Sequence, residues 1–338
     1  MEGVSAVLGN AGKKGFGQLL HECQHRSSGT AGSSGVLPDN RTRHFLKIQD
    51  GCNGSCTYCI VPRARGASRS IPPAEAERSF ELLAASGSPE VVLSGIHIGR
   101  YGADLEPETS LTDLVQRLAA RGTGTRLRIS SIEPREVTPG IIRLLGNGLT
   151  RHLHIPLQSG DDRTLESMNR DYTAAFYRDL VRQIAADVPD VAIGADVMVG
   201  FPGEGEREFE NTRKLIEDLP LTHLHVFSFS ARPGTPAAAM RGQVRDQVKR
   251  ERSESLRKLG WKKNAAFRMS MIGKHLHTVI QSPAPSGGHT GLTDNYIPLI
   301  VQGVPGDAVS TCMQVLIESV DGDLTIGRAS ANLLINKK

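Results

Sequence analysis

The stretch Gly51-Cys52-Asn53-Gly54-Ser55-Cys56-Thr57-Tyr58-Cys59-Ile60 decides how the rest of the chain is organised. It places three of the five cysteines within eight residues, with the spacing Cys-x3-Cys-x2-Cys. Three thiolates on one short loop can converge on one metal centre, and Gly51 and Gly54 let the backbone wrap tightly. The spacing therefore predicts a metal-binding loop.

Three thiolates can hold three corners of a cubic iron–sulfur cluster and leave the fourth iron open for chemistry. A zinc site would need a fourth ligand. Cys312 is distant in sequence, and His21-x-Cys23-x-His25 does not have a zinc-knuckle spacing. A disulfide pair with a spare thiol suits a small secreted domain, whereas this chain is long and does not begin with a signal-peptide pattern. The cluster is favoured, with zinc and structural thiols as the alternatives.

Composition sets broad limits. A chain of 338 residues can bury a large core and is expected to hold two domains. The net charge of +4 is weak support for a polyanionic partner, and aromatic residues at 4% disfavour a base-stacking surface. No apolar run approaches the roughly 18 residues of a membrane span, which predicts no membrane association. An odd number of cysteines, three of them clustered, predicts a reducing cytoplasmic location.

The order of elements predicts two folded parts. Residues 1–25 are expected to contain a separate strand and helix, and residues 26–42, rich in Ser, Gly and Thr, are expected to be a linker. Residues 43–266 alternate apolar strands with helices in about six units, which predicts an α/β fold, an open (partial) TIM-like (βα)6 barrel. Residues 270–336 contain short β runs that predict a small antiparallel β-barrel.

Functional loops of parallel barrels lie at the carboxyl ends of the strands. The loops predicted there carry the cysteines and several polar or glycine residues: Ser94, Gly95, Ser130, Ser131, Glu133, His154, Gln158, Asp196 and Gly200. His97, His152 and His154 are expected to be polar residues with hydrogen-bond partners rather than metal ligands. A helix predicted over 241–263 carries nine Lys or Arg, which favours either a solvated face or contact with an RNA backbone.

Four stretches resemble the methylthiotransferase branch of the radical S-adenosylmethionine (SAM) enzymes, and the match covers nearly the whole chain. They are Lys47-Ile48-Gln49-Asp50-Gly51-Cys52, Cys56-Thr57-Tyr58-Cys59-Ile60-Val61-Pro62, Leu153-His154-Ile155-Pro156-Leu157-Gln158-Ser159-Gly160 and Val199-Gly200-Phe201-Pro202-Gly203-Glu204. The C-terminal barrel is similar to a TRAM domain, an RNA-binding module of this family.

Three further stretches are most similar to the enzymes that act on N6-threonylcarbamoyladenosine of tRNA. They are Gly95-Ile96-His97-Ile98-Gly99, Ser130-Ser131-Ile132-Glu133-Pro134 and Met168-Asn169-Arg170-Asp171-Tyr172-Thr173. Related enzymes act on isopentenyladenosine in tRNA or on an aspartate of a ribosomal protein. The resemblance therefore implies radical methylthiolation at C2 of the adenosine beside the anticodon.

The resemblance also implies cofactors, partners and site residues. A 4Fe–4S cluster would be held by Cys52, Cys56 and Cys59, with SAM at its open iron. The expected SAM contacts are Gly95, Ser131, Glu133, Gln158 and Asp196. The expected partners are the anticodon loop of tRNA and a reducing donor such as flavodoxin or ferredoxin.

One departure from the family concerns the N-terminus. Family members begin with a domain whose three cysteines hold a second cluster, and residues 4–20 resemble only its last strand and helix. Cys23 alone precedes the linker, so the second cluster has no ligand set here. Two other functions remain open: a truncated, non-catalytic RNA-binding paralogue that keeps the cluster, and a radical SAM enzyme that modifies a ribosomal protein.

Overall fold

The computed structural model describes residues 42–305 and 308–334. The expected N-terminal segment 1–25 and nearly all of the linker 26–42 lie outside this part of the chain. The strands are β1 Arg43–Lys47, β2 Gln49–Asp50, β3 Arg69–Ser70, β4 Glu90–Ser94, β5 Arg126–Ile129, β6 His152–His154, β7 Ala192–Val199, β8 His223–Ser228, β9 His275–Pro283, β10 His289–Thr293, β11 Pro298–Gln302, β12 Cys312–Asp321 and β13 Leu324–Leu334.

Helices alternate with the strands of the first part. The α-helices are α1 Val61–Arg65, α2 Pro73–Ala85, α3 Leu111–Ala119, α4 Pro139–Leu144, α5 Asp162–Ser167, α6 Ala174–Asp187, α7 Glu206–Asp218, α8 Pro236–Ala239 and α9 Asp246–Met269. Asp161 caps the N-terminus of α5, because its side chain accepts a hydrogen bond from the backbone N–H of Thr164. The apolar faces of these helices pack onto the strands and form one continuous core.

Six parallel strands form the predicted partial barrel. They lie in sequence order as two three-stranded sheets, β1-β4-β5 and β6-β7-β8. Two backbone hydrogen bonds join the sheets, from Thr150 N to Leu127 O at 2.9 Å and from Ile132 N to His154 O at 2.9 Å. Strands β1 and β8 are the two edges, so the barrel is open, which confirms the predicted fold class.

The C-terminal part is a closed five-stranded barrel in the order β10-β11-β13-β12-β9. The prediction of an antiparallel barrel is wrong for one pair, since β11 and β13 run parallel. The reason is geometric: five strands in a ring cannot alternate in direction all the way round, so one adjacent pair must be parallel. The other four pairs are antiparallel.

The small barrel packs against the amino ends of the parallel strands. Glu90, fully buried at the start of β4, pairs with Arg43, Arg126 and Arg128. Arg126 donates to the carbonyl of His277 at 2.8 Å, and Arg128 reaches the carbonyls of Thr293 and Asp294. The small barrel therefore lies at the opposite end of the strands from the cysteine loop.

Helix α9 connects the two parts and begins five residues later than the predicted 241–263, at Asp246. It packs along β8, where Gly260 lies close to Leu224. The division into 43–266 and 270–336 stays a prediction. Within the described residues, no helix combines the length and apolar character needed to cross a bilayer.

Candidate active site

The cysteine loop follows β2 at the carboxyl end of the first parallel strand. Gly51 has a φ of +73°, and a side chain there would overlap the carbonyl of Ala67. The backbone N–H of Cys52 donates to Gly66 O at 3.1 Å, and that of Cys59 donates to Cys56 O at 3.0 Å. All three cysteine side chains are partly exposed and none forms a disulfide. The loop is thus folded tightly with its thiols accessible.

Gln49 fixes the start of this loop, and the sequence analysis did not select it. Its side chain is fully buried. Its amide nitrogen donates to Gly51 O at 2.8 Å and to Ser68 Oγ at 2.9 Å, while its amide oxygen accepts from the N–H of His97 at 2.8 Å. The sequence does contain one indication of this role, because Gln49 is a polar residue placed between the apolar Ile48 and the cysteine loop.

His97 lies beside the first cysteine. Its Nδ1 is 3.3 Å from Cys52 Sγ, and its Nε2 is 2.8 Å from Glu136 Oε1. Burial opposes protonation, but the contacts with Cys52 and Glu136 raise the pKa of His97 to about 10. The hydrogen bond with His97 in turn lowers the pKa of the Cys52 thiol. This contact therefore favours the thiolate form of Cys52, the form that metal ligation requires, whereas burial raises the pKa of the Cys59 thiol.

Arg170 lies beside the second cysteine and was also missed as a site residue. Its guanidinium donates to Cys56 Sγ at 3.3 Å and forms an ion pair with Glu133. Burial alone would lower the pKa of Arg170, but Tyr172, Glu133 and other neighbours hold it above its usual value. The sequence indicates Arg170 only through its place in Met168–Thr173, one of the stretches that resemble the enzymes acting on N6-threonylcarbamoyladenosine.

The segment 167–172 holds the cysteine loop through further contacts. Thr57 N donates to Met168 O at 3.0 Å, and Thr57 Oγ1 donates to Ser167 O at 2.9 Å. Asn169 Nδ2 donates to both the carbonyl and the hydroxyl of Ser55, at 3.0 and 2.7 Å. The loop between β2 and α1 is thus anchored to a part of the chain that is distant in sequence.

The residues expected to contact SAM all lie on loops or strand ends of the barrel's carboxyl rim or in its interior. Gly95 packs against Gln49, whose side chain lies within about 3.0 Å of where a Cβ would stand. Ser131 is exposed, whereas the hydroxyl of Ser130 is buried and without a hydrogen-bond partner. Glu133 is engaged by Arg170, and burial raises its pKa even though Arg170 opposes this. Direct contact with SAM stays a prediction for each.

Gln158 and Asp196 lie next to each other where β6 ends beside β7. Gln158 has a φ of +60°, is 8% exposed, and its Oε1 is buried without a partner. Asp196 lies 3.1 Å from His154 Nε2 and 2.8 Å from His225 Nδ1. Burial opposes the shift, but these histidines lower the pKa of Asp196. The Oε1 atom of Gln158 is thus a buried polar atom without a hydrogen-bond partner among the described residues.

His97 lies beside the carboxylate of Glu136 and His154 beside that of Asp196, so both histidines have the polar partners expected for them. His152 differs, since its buried ring stacks on Tyr296 with 4.2 Å between centroids and its Nδ1 has no hydrogen-bond partner. It lies at the amino end of β6, away from the cysteine loop. No histidine of the described residues takes part in a group of three metal-binding side chains.

The cysteine loop supplies three thiolates, the number that a cubic cluster with one open iron requires, whereas a zinc site would need a fourth ligand. Among residues 42–305 and 308–334, no group of three His, Cys, Asp or Glu side chains is arranged around one ion position. Cys312, the possible fourth zinc ligand, lies 3.7 Å from Pro89 O at the other end of the strands. His21, Cys23 and His25 lie outside the described residues.

A cavity of about 150 Å³ opens beside the cysteine loop. Tyr58, Met198 and Phe227 supply apolar walls, and Ser228 and Arg232 supply polar groups. Ser130 and Gln158, whose buried side-chain oxygens have no hydrogen-bond partner, lie on the same rim but do not line this cavity.

Comparisons with known proteins agree with this geometry. The model of the radical SAM superfamily matches residues 46–216. The chain is 38% identical over 285 residues to the threonylcarbamoyladenosine tRNA methylthiotransferase MtaB of Bacillus subtilis, covering 82% of this chain and 63% of that protein. It is 34% identical over 298 residues to the tRNA-2-methylthio-N(6)-dimethylallyladenosine synthase of Desulfitobacterium hafniense, covering 86% of this chain and 66% of that protein.

The chain thus spans 63% and 66% of the length of these two curated relatives, which is less than two thirds. Among solved structures, it is similar to the radical SAM methyltransferase TsrM of Kitasatospora setae with tryptophan and a SAM analogue bound. The TM-score is 0.50 at 17% identity, covering 59% of this chain and 38% of that one. This likeness supports the fold.

Proposed function

Because the chain belongs to the tRNA methylthiotransferase family of the radical SAM superfamily, we propose that it methylthiolates C2 of N6-threonylcarbamoyladenosine next to the anticodon of tRNA. The observation that carries the proposal is the Cys-x3-Cys-x2-Cys loop at the carboxyl rim of a six-stranded open barrel. The cofactors of this superfamily are a 4Fe–4S cluster and SAM, and the donor set on the rim fits both.

The residues of the rim have distinct tasks in this proposal. When bound, the cluster and SAM supply a carbon radical able to remove a hydrogen atom from the substrate. Cys52, Cys56 and Cys59 hold the cluster. Gln158 and Ser130 offer unpartnered oxygens to SAM, in a region where a buried polar atom is costly unless it gains a partner.

The choice of substrate rests on the chain's own stretches and on the relatives. The Bacillus relative is named for threonylcarbamoyladenosine and the Desulfitobacterium relative for dimethylallyladenosine, at 38% and 34% identity. The first substrate is preferred because Gly95–Gly99, Ser130–Pro134 and Met168–Thr173 resemble the enzymes that act on it. These stretches include His97, Glu133 and Arg170, which all lie at the cysteine loop.

The proposed partners follow from this chemistry. The enzyme binds the anticodon arm of tRNA and takes electrons from a donor such as flavodoxin or ferredoxin, in the cytoplasm. Because the small barrel lies at the amino ends of the strands, RNA bound there would reach the cysteine rim around the side of the open barrel.

Nucleoside analysis of tRNA tests the proposal. The chain is expressed in a bacterial strain that lacks its own enzyme for this modification, and digested tRNA is analysed by mass spectrometry. We expect 2-methylthio-N6-threonylcarbamoyladenosine with the parent chain and none with Cys56→Ala. A methylthio group on isopentenyladenosine alone would contradict the substrate, and no methylthiolated nucleoside would contradict the activity.

A further inference from the structure

One buried ion pair adjoins the cysteine loop without being a ligand. Arg170 donates to Cys56 Sγ at 3.3 Å, and the same guanidinium pairs with Glu133. The Arg170 side chain is 6% exposed and that of Glu133 is 30% exposed. The positive charge of Arg170 thus lies next to a ligand sulfur, and the negative charge of Glu133 lies behind it, in a region poorly screened by water.

We propose that Arg170 and Glu133 set the reduction potential of the cluster, with Arg170 making reduction easier and Glu133 limiting that effect. The inference rests on the proposed function, because it requires a cluster on the three cysteines. It assigns both residues a positioning and electrostatic role toward the cluster, which differs from the SAM contact expected for Glu133.

The physical reason is charge. Reduction moves one electron from an external donor to the cluster, so the donor is oxidised and the cluster gains one negative charge. A cation that donates a hydrogen bond to a ligand sulfur stabilises this added charge, and hydrogen bonds to sulfur and net charge are known determinants of cluster potential. The carboxylate behind the cation has the opposite effect, weakened by its greater distance from the sulfur.

The surrounding structure holds the guanidinium in place. The Tyr172 ring lies under it, with 5.1 Å from Arg170 Cζ to the ring centroid. The Tyr172 hydroxyl donates to the carbonyl of Leu157 at 2.9 Å, which fixes the ring. Asn169, the residue before Arg170, donates a hydrogen bond to Ser55 in the cysteine loop. We therefore expect the distance from the Arg170 guanidinium to Cys56 Sγ to stay the same in the oxidised and the reduced state of the cluster.

Arg163 provides a matched control. It is also an arginine paired with a carboxylate, since its Nη1 lies 3.8 Å from Glu208 Oε1, and it lies on α5, the helix that follows the carboxyl end of β6. Its side chain is 79% exposed and makes no hydrogen bond to a sulfur among the described contacts. Arg163→Gln removes the same charge from the same end of the barrel without touching a ligand sulfur.

The test is an EPR-monitored redox titration of the anaerobically reconstituted protein, with dithionite as reductant and at one fixed pH. Iron and sulfide are counted first in the parent and in Arg170→Gln, Arg170→Lys, Glu133→Gln and Arg163→Gln. At a fixed potential, we expect Arg170→Gln to lower the reduced-to-oxidised ratio by roughly tenfold or more, which is about 59 mV for a one-electron couple. Glu133→Gln is expected to raise that ratio, and Arg163→Gln to leave it within about twofold.

Opposite shifts of the ratio in Arg170→Gln and Glu133→Gln would not arise from a merely structural role. Shifts in the same direction, or shifts no larger than that of Arg163→Gln, would overturn the inference. If Arg170→Gln takes up no cluster, the other two variants decide the question. Arg170→Lys should give a reduced-to-oxidised ratio close to that of the parent, and Glu133→Gln should give a higher ratio than the parent. A parent protein without a four-iron cluster would instead contradict the proposed function itself.

Discussion

Single residues control how tightly the cysteine loop closes, and Gly51 has the strictest requirement. Both Gly51 and Gly66 have positive φ, +73° and +81°. A Cβ on Gly51 would overlap the carbonyl of Ala67, whereas a Cβ on Gly66 would have nothing within 4 Å. Substitution of Gly66 therefore tests the cost of the backbone conformation alone, whereas substitution of Gly51 also tests the cost of a steric overlap.

We expect Gly66→Ala to lower the free energy of unfolding by about 1 to 3 kcal/mol, because a φ of +81° with a ψ of −167° is a conformation that only glycine adopts readily. Gly51→Ala should lower it by about 1 to 3 kcal/mol more, because the chain must also move away from the new methyl group. Urea unfolding of the cluster-free protein measures both. Equal losses for the two variants would contradict the packing described around Gly51.

At the scale of elements, helix α9 is tied to the loop after β7 by a buried ion pair. Arg252 Nη1 donates to Glu204 Oε1 at 2.7 Å, and the same carboxylate oxygen accepts from Gly200 N at 2.8 Å. Several other basic residues of the helix also bind within the protein, such as Lys263, which donates to Glu217 O at 2.9 Å. Part of the basic pattern is therefore structural, and contact with RNA stays a prediction.

Arg252→Ala should lower the free energy of unfolding by about 3 to 5 kcal/mol, because it leaves Glu204 buried without its partner. Lys258→Ala is the control in the same helix, since Lys258 pairs with Glu254 and both are exposed. Its expected cost is below about 1 kcal/mol. Thermal or urea unfolding compares them, and a loss for Arg252→Ala as small as that for Lys258→Ala would refute the role of the pair.

The elements of the barrel were predictable because apolar strands and amphipathic helices differ in period and length. The start of α9 was misplaced because Arg245, its N-cap, provides no side-chain hydrogen bond as a signal. The contact between Arg170 and Cys56 joins residues 114 positions apart, so no local pattern reveals it. The SAM contact of Ser131 stays a prediction, and the sequence alone does not show that the hydroxyl of the adjacent Ser130 is the buried one without a hydrogen-bond partner.

At the scale of the whole molecule, Glu90 links the open barrel to the small barrel. It is fully buried among Arg43, Arg126 and Arg128, and two of these arginines also bind carbonyls of the small barrel. Burial opposes ionisation, but the three arginines hold the pKa of Glu90 well below its usual value. Its contribution to stability is therefore complete above the unfolded pKa of 4.5 and is lost as the pH falls through the lower folded pKa.

Glu90→Gln should cost about 3 to 5 kcal/mol of unfolding free energy at pH 7, where it leaves three arginines without their carboxylate. The difference from the parent should shrink as the pH falls below about 4.5, because the parent's own carboxyl loses its advantage there. Unfolding curves between pH 3 and pH 7 measure this. Glu81→Gln, at an exposed pair with Arg121, is the control, and a cost for Glu90→Gln that is independent of pH would count against the network.

The central claim is that Cys52, Cys56 and Cys59 hold a SAM-cleaving cluster at the carboxyl rim. Iron and sulfide counting after anaerobic reconstitution, followed by SAM and dithionite, tests it most directly. We predict about four irons and four sulfides per chain and formation of 5′-deoxyadenosine. Both should be lost in Cys52→Ala and kept in Cys312→Ala, whose thiol lies at the other end of the strands. Zinc without sulfide, or a full cluster in Cys52→Ala, would contradict the claim.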